Sequence, residues 1–201
     1  KIATIQYSGV LQEARNWFVF TLKPILESNI NLFRFNYYNY LNDPDKEKHY
    51  KPLYIELLKS ADFLIDDFSI KKWTMPIDEL PSRFREKIQN KNKENEEGNK
   101  SGKVYWFETE FTHKTPSGTY VLNYYMESMG TQRYFGLIGI MFELLYKNRI
   151  VPIDEIESSL HIDLIIHFIS TFLRNKSQGQ LFFTSQNTAL LKEKDILRRD
   201  A

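Results

Sequence analysis

The sequence predicts an α/β fold, with parallel strands and helices in its C-terminal third, preceded by an α-rich segment and a β-hairpin. Two repeats of one pattern carry the α/β reading. Tyr134, Leu137, Ile138, Met141, Leu144 and Leu145 recur at helical spacing, and the short apolar run Ile150 to Ile153 follows as a strand. Leu160, Leu164, Ile165, Phe168 and Ile169 then form the face of a second helix, from Ser159 through Phe172, and Gln180-Leu181-Phe182-Phe183-Thr184 is a second strand. Helix, strand, helix, strand in this order makes the strands parallel and joined by a right-handed crossover.

Taken in order, residues 1–82 read as an α-rich lid or insertion segment, with a helical phase in Leu53, Tyr54, Leu57, Leu58 and Ala61. The aromatic stretch from Asn31 to Tyr40 precedes a turn signal at Asn42-Asp43-Pro44-Asp45. Phe63 to Ile70 reads as a short strand or a passage from helix to strand. Residues 83–103 are nearly free of apolar side chains and mixed in charge, which predicts a flexible charged loop. Beyond it, Val104 to Phe111 and Thr119 to Tyr125 flank Lys114-Thr115-Pro116-Ser117-Gly118, the signature of an antiparallel hairpin. Residues 104–201 form the last expected domain, and no internal repeat is visible.

The 201 residues are 42% hydrophobic and 15% aromatic, enough for a compact domain or two small lobes. Lys and Arg number 27 against 26 Asp and Glu, so no global field favours nucleic acid, an anionic membrane or an acidic substrate. The absence of cysteine excludes a disulfide framework, a thiolate metal site and a cysteine nucleophile. No apolar run approaches the roughly 20 residues that span a bilayer, and the first residues lack a signal-peptide layout. A soluble cytoplasmic protein is expected. The chain begins with Lys1, which points to a processed, truncated or partial product.

Asp154 and Glu155 end an apolar strand, where a nucleotide hydrolase of parallel-sheet architecture would place its carboxylates. One carboxylate of such a pair helps hold a magnesium shell while another group orients or deprotonates the nucleophile. Alone, an Asp-Glu pair is more often a charge pair at a helix N-terminus. Three neighbours favour the site. Glu127-Ser128-Met129-Gly130-Thr131-Gln132-Arg133 opens a helix and gathers a serine hydroxyl, a glycine backbone and free amides as an anion site. Ser158-Ser159-Leu160-His161 follows the carboxylates, and Ser185-Gln186-Asn187 ends the next strand.

As an ordered set over residues 104–201, these motifs resemble the second half of an ABC-type P-loop ATPase head. More narrowly, they are similar to the AAA-labelled bacterial ATPases of abortive-infection and other anti-phage systems, relatives of the overcoming-lysogenization-defect group. The matching strings are Glu127 to Thr131, Asp154 to His161, Phe183 to Thr188 and Leu197 to Asp200, with a weaker echo in Ile55 to Asp62. The resemblance implies ATP and Mg2+ as cofactors, with Asp154 supporting magnesium through water and Glu155 as general base. It implies that Ser128 and Gly130, with Thr131, touch the γ-phosphate of ATP on a second subunit. Ser158 to His161 would then link the two sites across a homodimer, which couples ATP binding to closure. A nuclease or other effector subunit and nucleic acid are the further partners it allows, with no membrane.

Two positions depart from the family pattern. Gln186 stands where the resemblance expects a switch histidine, and it can donate to phosphate but cannot titrate near neutral pH. Pro152 lies inside the carboxylate-bearing strand and predicts an edge-like or bulged position. A Gly-x-x-x-x-Gly-Lys-Ser/Thr phosphate loop is missing, because Gly98-Asn99-Lys100-Ser101-Gly102-Lys103 is one residue short and follows no strand. The expectation is therefore that the phosphate-loop lobe is cut away or lies in another chain, and that this chain alone is inactive. The rival expectation is a non-hydrolysing regulatory or partner-docking module derived from such an ATPase. Among other residues, His49, His113 and His167 are too scattered for a metal set, and His167 reads as a satisfied core or interface histidine. Asp66 and Asp67 read as a solvated turn, and Tyr37 to Tyr40 as ordinary packing with base stacking as the alternative.

Overall fold

The computed structural model describes residues 9–22, 38, 44–61, 63–82, 85 and 103–193. The chain divides into two compact units, one of residues 65–126 and one of residues 1–64 with 127–201. These boundaries differ from the expected ones at residues 82 and 103, because a strand before the charged segment pairs with the hairpin after it.

In the first unit β1 (Asp67–Pro76) runs antiparallel to β2 (Lys103–Thr115), which runs antiparallel to β3 (Gly118–Asn123). Thr115 pairs with Gly118, so Pro116 and Ser117 are a two-residue turn. Gly118 has φ +145°, a backbone that favours glycine. The hairpin matches the expectation, but the strand expected to end near Ile70 extends to Pro76. Residues 71–74 are exposed in succession and carry no apolar alternation. The ladder to β2, with the Lys71–Glu110 ion pair at 2.7 Å and the Trp73 indole donating to Glu108 at 2.9 Å, orders them instead. Phe68 and Phe111, opposite one another in register, form the buried centre with Tyr124. Asp66 pairs with Lys114 at 2.7 Å and Asp67 opens β1, so the two aspartates are not a solvated turn.

In the second unit the described helices are α1 (Gly9–Phe20), α2 (Pro44–Ser60), α3 (Met129–Lys147) and α4 (Ile162–Arg174). Pro44 starts α2, where its missing N–H costs nothing, and Asp45 and Glu47 complement the helix dipole in the first turn. Tyr54 and Leu58 are buried, with the Tyr54 ring 5.2 Å from Phe135 and 5.0 Å from Phe142 of α3. Every residue of α3 from Thr131 to Leu144 is buried, so this helix is enclosed all round rather than along one stripe. It stops at Asn148, whose left-handed backbone (φ 50°) caps it.

The strands β4 (Ile150–Ile153) and β5 (Gln180–Phe183) pair in parallel as expected, Ile150 opposite Gln180 and Ile153 opposite Phe183. Gln180 and Thr184 donate across to the Arg149 and Ile153 carbonyls, whereas the Ile150 N–H turns the other way, to Thr21, beside a bridge between Leu22 and Ile150. Pro152, two residues on, has its nitrogen on that same side. The missing donor therefore faces away from β5, an edge-like position as expected. Helix α4 begins at Ile162 rather than near Ser159, because Ser159 has φ +61° within a turn and His161 caps the helix. Of the face expected for α4, Ile165, Phe168 and Ile169 are buried, while Leu164 is half-buried and Leu160 precedes the helix.

The expected loop over residues 83–103 lies outside the described residues except at Arg85 and Lys103, as do Asn31 to Tyr37, Asn39, Tyr40 and Leu197 to Asp200. Tyr38 is buried at 4% exposure, which does not suit base stacking. Among the described residues no helix is long and apolar enough to cross a membrane.

Candidate functional site

Three expected site residues, Asp154, Glu155 and Gln186, occupy the C-terminal edge of β4 and β5, with Thr184 beside them. Asp154 and Glu155 follow β4 directly, and Thr184 and Gln186 follow β5. Parallel pairing in register sets both strand ends at one edge, which is why residues 30 positions apart meet. The Thr184 hydroxyl donates to the Asp154 carboxylate and its oxygen accepts the Glu155 N–H at 2.9 Å. The Gln186 side-chain amide donates to the Glu155 carboxylate at 2.7 Å. Asp154, Glu155, Thr184 and Gln186 are all exposed, so water reaches the cluster.

The turn after β4 is tight and strained. Glu155 has φ +46°, in the left-handed region that costs a non-glycine residue about 1–2 kcal/mol. Hydrogen bonds hold it there: the Glu155 carbonyl accepts from Ser158 N–H at 2.9 Å and from Arg133 Nη2 at 3.1 Å, and Ile156 N–H reaches the Thr184 carbonyl at 3.2 Å. Glu157 accepts the Gln186 backbone N–H at 2.5 Å. Burial would raise the Glu157 pKa, but the backbone N–H groups of Gln186 and Glu157, the Ser185 hydroxyl and the Arg133 charge outweigh it and hold the carboxyl below its ordinary range. It stays anionic and anchors Gln186.

The helix start expected at Ser128 is formed. Ser128 is the N-cap, its Oγ accepting the Thr131 N–H at 3.0 Å and lying 2.7 Å from the Thr131 hydroxyl. Gln132 donates from its side chain to the Glu127 carbonyl at 2.9 Å, which closes the turn before the helix. A Cβ placed on Gly130 would lie 3.5 Å from the Ser159 carbonyl oxygen, so the first turn of α3 and the turn at Ser158–Ser159 adjoin. His161 is different. It is exposed, and its Nδ1 accepts the Asp163 N–H at 3.4 Å and lies 3.2 Å from the Asp163 carboxylate, so it bonds within its own helix start.

Three residues given no role by the sequence take part in this geometry. Thr184 links the Asp154 carboxylate to the Glu155 backbone N–H, Glu157 fixes Gln186, and Arg133 reaches the Glu155 backbone. Thr184 stood within a recognised string, but the contacts of Arg133 and Glu157 span 22 and 29 residues, a separation that periodicity cannot disclose. His167 sits where expected, its Nδ1 2.5 Å from the Tyr134 hydroxyl. Asn187 caps a short 3-10 turn by accepting the Ala189 N–H and is not part of the cluster.

The model of the family described as "AAA domain, putative AbiEii toxin, Type IV TA system" matches residues 12–192. No curated protein matches the chain. The matched span includes every residue of the cluster, and the chain belongs to this AAA-domain family, whose members are nucleotide-binding ATPases.

Proposed function

We propose that this chain is the signature and carboxylate-bearing lobe of an ABC-type ATPase head, serving anti-phage defence or DNA-linked work, whose phosphate-loop lobe is not in this sequence. The observation that carries the reading is the Glu155 carboxylate beside Gln186, on a turn whose neighbour is the Ser128-capped start of α3. Glu155 takes a proton from the water that attacks the γ-phosphate, and Gln186 orients Glu155. Ser128, Gly130 and Thr131 face the γ-phosphate of ATP held by a second copy, so that a homodimer completes each site in trans. Ser158 to His161 carry the state of one site to the other. A nuclease or other effector subunit, or nucleic acid, receives the outcome.

Magnesium fits Asp154 through water. The residue is exposed and offers a hard carboxylate oxygen, steadied by Thr184. Water and phosphate oxygens would supply the rest of the ion's shell. When bound, the ion neutralises charge on the phosphates.

The test is Glu155→Gln in a protein carrying both lobes. Turnover falls by about 100-fold or more while ATP binding persists; unchanged turnover makes the base assignment wrong. The 201 residues alone bind magnesium-ATP too weakly to measure, and tight binding by them would count against the reading.

A second reading rests on Gln186, which holds Glu155 and cannot titrate as a histidine would. In it the lobe is a regulatory or docking module that no longer hydrolyses ATP. Turnover by the two-lobed protein separates the readings.

A further inference from the structure

Among the described residues Arg133 is the largest fully buried side chain, at 0% exposure, although it lies only five residues past the Ser128 N-cap. Removing a guanidinium from water is costly unless charge and hydrogen bonds compensate. Burial lowers its pKa, and the Glu157 and Glu155 carboxylates oppose that. We propose that Arg133 is a positioning residue, tying the first turn of α3 to the backbone of Glu155 and so setting where the proposed base points.

The Glu155 peptide is held from both sides. Its N–H is fixed by Thr184 at the end of β5, and its carbonyl by Arg133 from α3 and by the Ser158 N–H. With φ at +46° the residue leaves this conformation once the carbonyl is released, because nothing intrinsic to a glutamate favours it. Arg133 shares its rigid helix turn with Gly130 and Thr131, so a ligand that shifts this turn also shifts the Glu155 carbonyl. The same guanidinium lies in the field of Glu157, which anchors the Gln186 backbone, so both members of the Glu155–Gln186 pair respond to it. A lysine keeps the charge but is a point donor without the planar fork.

The inference rests on the reading of Glu155 as the base, and the experiment separates the two. In the two-lobed protein, Glu155→Gln, Arg133→Lys, Arg133→Gln and the Glu155→Gln/Arg133→Lys double variant are compared for kcat, KM for ATP and thermal unfolding. Arg133→Lys is expected to lower kcat by about 10-fold with KM within about 3-fold, and to add less than about 2-fold in the Glu155→Gln background, since residues acting as a unit are not additive. Full kcat in Arg133→Lys, a loss confined to KM, or an additive loss in the double variant overturns the role of Arg133 while leaving Glu155 in place. Loss of a cooperative melt in both Arg133 variants overturns it too, assigning the arginine to the scaffold. Unchanged turnover in Glu155→Gln sinks both readings together.

Discussion

The Gln186 side-chain amide donates to the Glu155 carboxylate at 2.7 Å, so one of its two N–H groups is engaged with the proposed base. In the two-lobed protein Gln186→Ala leaves Glu155 unoriented and lowers kcat by about 10-fold, read by steady-state phosphate release. Gln186→His raises turnover if the chain is a slow enzyme. No rise favours the module that does not hydrolyse ATP.

Thr184→Val keeps the shape of the side chain and removes both bonds of its hydroxyl, to the Asp154 carboxylate and from the Glu155 N–H. The site is exposed, so water replaces the lost partners and stability falls by no more than about 1 kcal/mol. The magnesium concentration that supports half-maximal turnover rises, as Asp154 is no longer steadied. An unchanged magnesium dependence would remove Thr184 from the site.

At Gly130 an added methyl meets only ordinary contacts, 3.5 Å from the Ser159 carbonyl and 3.7 Å from Ser128 Oγ. Alanine is also the better helix former, by about 1 kcal/mol. Gly130→Ala therefore melts no lower than the parent, while turnover drops if a phosphate must approach this backbone. Full activity would show that nothing approaches it.

Gly179 is the opposite case. A Cβ there would stand 2.2 Å from the Leu144 carbonyl oxygen, and that oxygen already accepts the Ser177 hydroxyl at 2.7 Å. Gly179→Ala forces the entry to β5 away from the end of α3 and costs about 1–3 kcal/mol. Thermal melting of the chain measures it, and a midpoint equal to the parent's would mean that the contact relaxes freely.

His167 is half-buried beside Tyr134, and burial, then the Arg174 charge, hold its pKa below 6.5. The unfolded chain therefore takes a proton before the folded one does. The contribution of His167 is fully present above about pH 6.5 and is lost as pH falls through the lower folded value. Urea midpoints at about pH 7.5 and about pH 5.5 should differ more for the parent than for His167→Gln, which keeps an acceptor for Tyr134. Equal differences would show that another group carries the slope.

Local rules reached the helix ends, the hairpin turn and the parallel strands, because each rests on residues a few positions apart. Ser128 capping α3 and Pro116-Ser117 turning the hairpin are of this kind, whereas Pro44 and Asp45, read as part of a turn signal, begin α2. The second half of β1 escaped, since Lys71, Lys72 and Thr74 are exposed and carry no alternation; only the ladder with β2 makes them a strand. The start of α4 was read about three residues early, because the left-handed backbone at Ser159 falls on a serine and no glycine announces it.

By itself the sequence named the groups proposed to carry the chemistry: Asp154 and Glu155 after an apolar strand, Ser128 and Gly130 at a helix start, and Gln186 after the next strand. Periodicity and capping are local, and they placed those groups at strand ends and a helix start; the resemblance supplied their expected roles. Only the tertiary structure decided how these groups are held. Thr184, Arg133 and Glu157 act through hydrogen bonds spanning 22 to 30 residues, and such bonds exist only once β4, β5 and α3 have packed. The left-handed Glu155 is the clearest case: its conformation is unfavourable alone and is imposed by partners on both sides.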